Sequence, residues 1–180
     1  MNEQQKRKIS TFMSLVLRHK PEEIGLQLDE NGWALVSDFI SKMNGKGNTL
    51  DVESLEEIVS TNDKKRFAFN DDKTKIRASQ GHSVTVDLAL IEIIPPETLF
   101  HGTVEKFIDE IKTKGLLKMS RQHVHLSKDK ETALKVGSRR GNPVILIVNS
   151  SEMQQDGYKF YQSENGVWLT DHVPAKYIQF

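Results

Sequence analysis

Apolar Ile9, Phe12, Met13, Val16 and Leu17 recur at helical spacing over residues 6–17, which predicts a helix with one face turned inward. It should end at Arg18-His19-Lys20-Pro21. Residues 25–29 (Gly25-Leu26-Gln27-Leu28-Asp29) alternate as a short strand does, Asn31-Gly32 reads as a turn, and residues 33–43 return to a helical period. A further helix is expected over residues 52–59. Arg66-Phe67-Ala68-Phe69, the turn Asn70-Asp71-Asp72 and Lys75-Ile76-Arg77-Ala78 read as a hairpin. Helices followed by a two-stranded wing predict a small winged-helix lobe.

The rhythm breaks at Ile91-Glu92-Ile93-Ile94-Pro95-Pro96, so a boundary is expected there, with one lobe over residues 1–92 and another over residues 97–180. Past the prolines the pattern predicts a strand at residues 98–101, a helix over 104–114 stopped by Gly115, a strand at 123–126 and a helix over 130–139. A buried-type strand at 144–148 and short strands near 159–161, 167–170 and 177–180 complete the second lobe. Many short strands with helices between them define an α+β class rather than a doubly wound sheet.

Composition removes several chemistries. The 180 residues include no cysteine, which excludes disulfides, thiol nucleophiles and Cys-based zinc sites. No apolar run approaches the ~20 residues a bilayer demands, and the polar start lacks a signal-peptide core, so a cytoplasmic protein is expected. Lys and Arg number 25 against 25 Asp and Glu, so no bulk field announces a nucleic-acid partner. The balance is 13 to 15 up to residue 92 and 12 to 10 beyond it. Any useful positive charge must be local.

Three clusters are candidates. Arg18-His19-Lys20 gathers cations where a helix C-terminus favours them, and Lys64-Lys65-Arg66 stands at the mouth of the hairpin. Either can be an ordinary helix end or solvated turn. If they converge, their guanidinium forks make a phosphate clamp. His123-Val124-His125 puts two imidazoles on one strand face, but without Cys or a Glu at helical spacing a metal site is not expected. His101-Gly102-Thr103 is expected as a strand-to-helix turn where a ligand approaches bare backbone. There a Gly102→Ala change should weaken ligand binding with little loss of fold stability. No glycine-rich dinucleotide or P-loop motif is present. Trp33 and Trp168 read as core or hairpin residues rather than base-stacking platforms.

Taken in order, Leu17-Arg18-His19-Lys20-Pro21, Lys64-Lys65-Arg66-Phe67, Arg77-Ala78-Ser79-Gln80-Gly81-His82-Ser83, His101-Gly102-Thr103, Val124-His125-Leu126-Ser127 and Glu164-Asn165-Gly166-Val167-Trp168-Leu169 resemble the tRNA 2'-phosphotransferase family. The resemblance runs from about residue 9 to the C-terminus. It implies a winged-helix RNA-binding lobe at residues 1–92 and an ADP-ribosyltransferase-like lobe at 97–180 that binds NAD without a Rossmann fingerprint. The family's essential Arg-His-Arg-Arg set would fall on Arg18, His19, Arg66 and Arg121. NAD would meet His101, Gly102, Thr103, His125 and Ser127, while RNA or its phosphates would meet Lys20, Lys65, Arg77, Gln80 and His82.

The reaction implied has two steps and no metal. The RNA 2'-phosphate attacks the nicotinamide ribose carbon and releases nicotinamide, and the neighbouring ribose hydroxyl then attacks that phosphate. ADP-ribose 1'',2''-cyclic phosphate and RNA with a free 2'-hydroxyl result. A monomer acting on 2'-phosphorylated RNA, with spliced tRNA as the type, is expected. Two alternatives stay open: a winged-helix regulator with a ligand-sensing lobe, and an ADP-ribosyltransferase that caps terminal phosphates.

Overall fold

The first helix, α1 (Glu3–Arg18), starts earlier than its apolar periodicity predicts because Asn2 and Gln5 close a capping box, Gln5 N–H donating to Asn2 Oδ1 at 2.8 Å and Asn2 N–H to Gln5 Oε1 at 3.0 Å. The computed structural model describes residues 1–180 as two units, Met1–Ala89 and Leu90–Phe180. Both mix helices with small antiparallel sheets, giving six α-helices in all. No helix is long and apolar enough to cross a membrane.

In the first unit, Ile9, Met13, Val16 and Leu17 of α1 are buried in one cluster with Phe39, Met43, Leu55 and Ile76. Phe39 and Met43 belong to α2 (Val36–Asn44), Leu55 to α3 (Val52–Thr61) and Ile76 to β3 (Lys75–Ala78), and the unit also contains β1 (Ala34–Leu35) and β2 (Phe67–Phe69). The three strands form an antiparallel sheet in the order β1-β3-β2, with Ile76 paired to Ala34 on one side and Phe69 on the other. Two expectations are corrected. Residues 25–29 form no strand: a 3-10 turn (Pro21–Ile24) ends at Gly25 with φ +66°, and Leu26 and Leu28 reach the core without a sheet partner. Residues 34–35 leave the predicted helix to pair with β3, so α2 begins only at Val36.

The second unit contains β4 (Leu99–Val104), α4 (Ile108–Lys114), β5 (Leu116–Leu117), β6 (Val124–Leu126), α5 (Lys130–Ser138), β7 (Pro143–Val148) and α6 (Ser150–Gln155). It closes with β8 (Tyr161–Gln162), β9 (Trp168–Thr170), β10 (His172–Val173) and β11 (Ile178–Gln179). Sheet orders are β11-β7-β4, β6-β9-β8 and β10-β5, all antiparallel. Phe100 and Ser127 exchange two backbone hydrogen bonds of 2.8 Å, which ties the first of these sheets to the chain leaving β6. Leu99, Leu146, Val148, Met153 and Phe160 fill the core.

His101-Gly102-Thr103 is not a turn. It lies inside β4, with Gly102 opposite Ile145 of β7, and α5 rests directly on it. A Cβ on Gly102 would sit 1.8 Å from the Ala133 carbonyl oxygen and 2.8 Å from the Gly137 nitrogen, while one on Gly137 would sit 2.9 Å from the Thr103 oxygen. Two glycines thus let helix and strand touch backbone to backbone. The methyl of Gly102→Ala meets backbone that cannot swing aside, so this variant is expected to lose at least about 2 kcal/mol of stability in urea unfolding, against the small loss expected from a turn. A midpoint unchanged from wild type would overturn this packing argument.

Candidate functional site

The C-terminus of α1 places the first cations. Arg18 is its last residue, His19 caps it, and the N–H groups of His19 and Lys20 both donate to the Leu15 oxygen, at 3.0 and 2.9 Å. The chain leaving β3 then crosses this end. Ser83 and Val84 donate their N–H groups to the Arg18 carbonyl at 2.9 and 3.3 Å, and Ser83 Oγ lies 2.8 Å from His19 Nδ1. Gly81, at φ +86°, lets the loop pass the Arg18 guanidinium, whose atoms lie 3.6–3.7 Å from where a Cβ would be.

Arg66 is fixed to the same loop. Asn62 Oδ1 accepts its N–H at 3.0 Å, Ser79 N–H donates to its carbonyl at 2.8 Å, and Lys65 before it takes a left-handed φ of +44°. Ser79 Oγ also donates to the Lys65 carbonyl at 3.1 Å. Arg18 and Arg66 therefore line one groove of about 350 Å³ with Arg7, Ser10, Thr11 and Ser14. None of its lining residues is acidic.

The expected RNA contacts divide. Lys20 and Lys65 are exposed. Arg77 instead lies 4.3 Å over the Trp33 ring and donates to the Asn31 carbonyl at 3.4 Å. Gln80 is buried, its Oε1 without a hydrogen-bond partner. His82 is 0% exposed and packs inside the loop. Neither of its ring nitrogens has a hydrogen-bond partner. Burial first, then Arg18, Arg77 and His19, push its pKa down from 6.5 to about 4.

In the second unit, His101 Nδ1 donates to the His125 carbonyl at 3.1 Å, the only role a carbonyl acceptor permits. Burial lowers His101 below the ordinary imidazole range, with Arg140 and Arg121 adding to the effect, so it is neutral with a fixed tautomer. Arg121 Nη1 lies 3.5 Å from His125 Nδ1. The Phe100–Ser127 bond pair brings Ser127 alongside, and Thr103 is buried two residues beyond His101. The structure thus gathers His101 of β4, His125 of β6, and Ser127 and Arg121 from the chain on either side of β6. Arg140, in the Arg139-Arg140 doublet after α5, is a cation that sequence reasoning missed.

Residues 4–172 match the family described as RNA 2'-phosphotransferase, Tpt1 / KptA family. The chain belongs to this family. A relative from Flavobacterium johnsoniae, named "Probable RNA 2'-phosphotransferase", is 66% identical over 180 residues, covering 100% of this chain and 99% of that one. A protein of the same name from Fusobacterium nucleatum is 55% identical over 174 residues, covering 96% and 97%. One from Acaryochloris marina is 52% identical over 175 residues, covering 97% of both chains.

For this family member the buried imidazole has a measurable consequence. Folded His82 stays neutral down to about pH 4, whereas an unfolded histidine takes up its proton near 6.5. The unfolded state therefore binds more protons between these values. The stability His82 leaves intact above pH 6.5 is lost as pH falls towards 4, by up to about 3 kcal/mol. Urea unfolding from pH 7 to 4.5 should show a shallower acid slope in His82→Gln than in wild type, and equal slopes would contradict the buried neutral state.

Proposed function

We propose that this chain is an NAD-dependent RNA 2'-phosphotransferase, which removes an internal 2'-phosphate from RNA of the tRNA splice-junction type. The carrying observation is the convergence of Arg18 and Arg66 on one groove without a carboxylate, beside His19, in a member of the RNA 2'-phosphotransferase family. The order helix, strand, two helices and hairpin in Met1–Ala89 supports a winged-helix reading of the RNA-binding unit, and Leu90–Phe180 is read as an ADP-ribosyltransferase-like unit. The protein is taken to act as a cytoplasmic monomer.

A phosphate dianion is already nucleophilic, so the protein must supply position and charge stabilisation rather than a base. Arg18 and Arg66 present permanently charged forks to its oxygens. Ser83 holds the His19 ring by Nδ1, and Nε2 is the atom assigned to proton exchange with the ribose hydroxyl in the second step. Neutral His101, together with His125, Ser127, and the backbone of Gly102 and Thr103, forms a set suited to ribose and nicotinamide, with Arg121 and Arg140 suited to the pyrophosphate. Bound there, NAD would supply an electrophilic ribose carbon with nicotinamide as leaving group.

The test is incubation with an oligoribonucleotide carrying one internal 2'-phosphate, with and without NAD. Nicotinamide, ADP-ribose 1'',2''-cyclic phosphate and 2'-hydroxyl RNA should form only when both substrates are present. NAD left intact, with salt-dependent binding to duplex DNA, would favour a regulator instead. Arg18→Ala, His19→Ala, Arg66→Ala and Arg121→Ala should each fold and lose at least ~100-fold in phosphate removal. His19→Ala and Arg66→Ala should accumulate the RNA-phospho-ADP-ribose species, because the second step concentrates charge on the phosphate. Equal slowing of both steps in every variant would sink that division of roles.

A further inference from the structure

One face of α1 takes part in the reaction just described only at its last residue, Arg18. Arg7, the adjacent pair Ser10 and Thr11, Ser14 and Arg18 succeed one another three or four residues apart, opposite the buried Ile9, Met13 and Val16, so they form a single outward stripe. Arg66 borders it, and together these six residues line the groove of about 350 Å³. Its floor is small and hydroxylated. Ser10 and Thr11 turn their hydroxyl protons inward to the Arg7 carbonyl, at 3.1 and 2.8 Å, which leaves oxygen and helix surface rather than bulk between the two end arginines. Near the start of the stripe, Glu3 and Glu57 hold Lys6 at 3.2 and 2.7 Å, while Asp63 lines the adjoining hollow with Arg7 and Arg66.

From Arg7 to Arg18 the helix rises about 16 Å, room for a few nucleotides of an extended strand. A single phosphate needs one end of such a groove only. A linear polyanion with regularly spaced charges uses its whole length, and the family's RNA substrate class is one. We propose that this groove is a track for the sugar-phosphate backbone flanking the 2'-phosphate, with Arg7 gripping a backbone phosphate remote from the reacting one and the hydroxyls of Ser10 and Ser14 facing the chain between. The assignment rests on the RNA-processing reading of Arg18 and Arg66, and it makes substrate length a determinant of affinity.

Binding and turnover test it separately. By fluorescence anisotropy, a single-stranded oligoribonucleotide without any 2'-phosphate should bind Arg7→Gln several-fold more weakly than wild type. The slope of log affinity against log salt should fall by about 0.7, one single-strand phosphate contact. Lys8→Gln removes the same charge from an exposed position outside the groove and should bind as wild type does. In turnover, the KM penalty of Arg7→Gln should be several-fold larger on a 2'-phosphorylated octanucleotide than on a 2'-phosphorylated dinucleotide. Equal penalties on the two lengths, or equal losses in Arg7→Gln and Lys8→Gln, would overturn the track. If wild type binds RNA through Arg7 but removes no 2'-phosphate from either substrate, the track stands and the proposed reaction fails.

Discussion

The carbonyl of Arg18 accepts two backbone N–H groups from one loop, those of Ser83 and Val84, and the placement of Arg18, His19 and Arg66 rests on that loop. A helix end leaves its last carbonyls without partners, and here residues from a distant part of the chain supply them. The same loop bonds the His19 ring through Ser83 and, at Ser79, the Arg66 backbone. Three side chains from two places in the sequence are thereby set by one turn of chain. Its centre is packed rather than polar: His82 is buried without hydrogen bonds, an arrangement that costs about 1–3 kcal/mol per unpaired group and is tolerated where the surrounding structure needs that shape.

Leu90–Phe180 solves its positioning problem with absence of bulk. Because Gly102 and Gly137 carry no Cβ, α5 can lie on β4 at backbone contact, and β4 in turn holds His101 against the His125 carbonyl. The hydrogen bond fixes the tautomer and burial fixes the charge, so the imidazole is a defined neutral group before any ligand arrives. Gly102 therefore positions His101 indirectly, through packing.

Periodicity located the long elements well because their apolar faces are continuous: α1, α3, the β2–β3 hairpin, α5 and β7 all lie where the pattern puts them, within a few residues. It failed where two-residue pairings decide, as at Ala34–Leu35, and at β5 and β10, whose strands are too short to show alternation. It also misplaced Gly102, since a glycine beside a helix pattern reads as a turn when its reason lies in Ala133 and Gly137, about thirty residues away. Arg18, His19 and Arg66 were legible as basic clusters, but their convergence depends on Ser79 and Ser83, which nothing local marks. His82 carried a polar residue's expectation into a wholly buried place, because a motif records which residues recur and not which way they face.

A chain with 25 basic and 25 acidic residues has no net attraction for a polyanion, so recognition must come from how the charges are sorted. Exposed charges more than ~10 Å apart are screened at ordinary salt, which confines any useful field to contact range. Sorting at that range is visible on α1, where Lys6 ties up Glu3 and Glu57 while Arg7 and Arg18 border a groove without carboxylates. It extends to protonation. Burial keeps His82 and His101 neutral, so the positive charge beside them resides in guanidinium groups that do not titrate near neutrality. A site built this way gains little from long-range steering and much from geometry, which suits a phosphate recognised by its oxygens and its place within a strand.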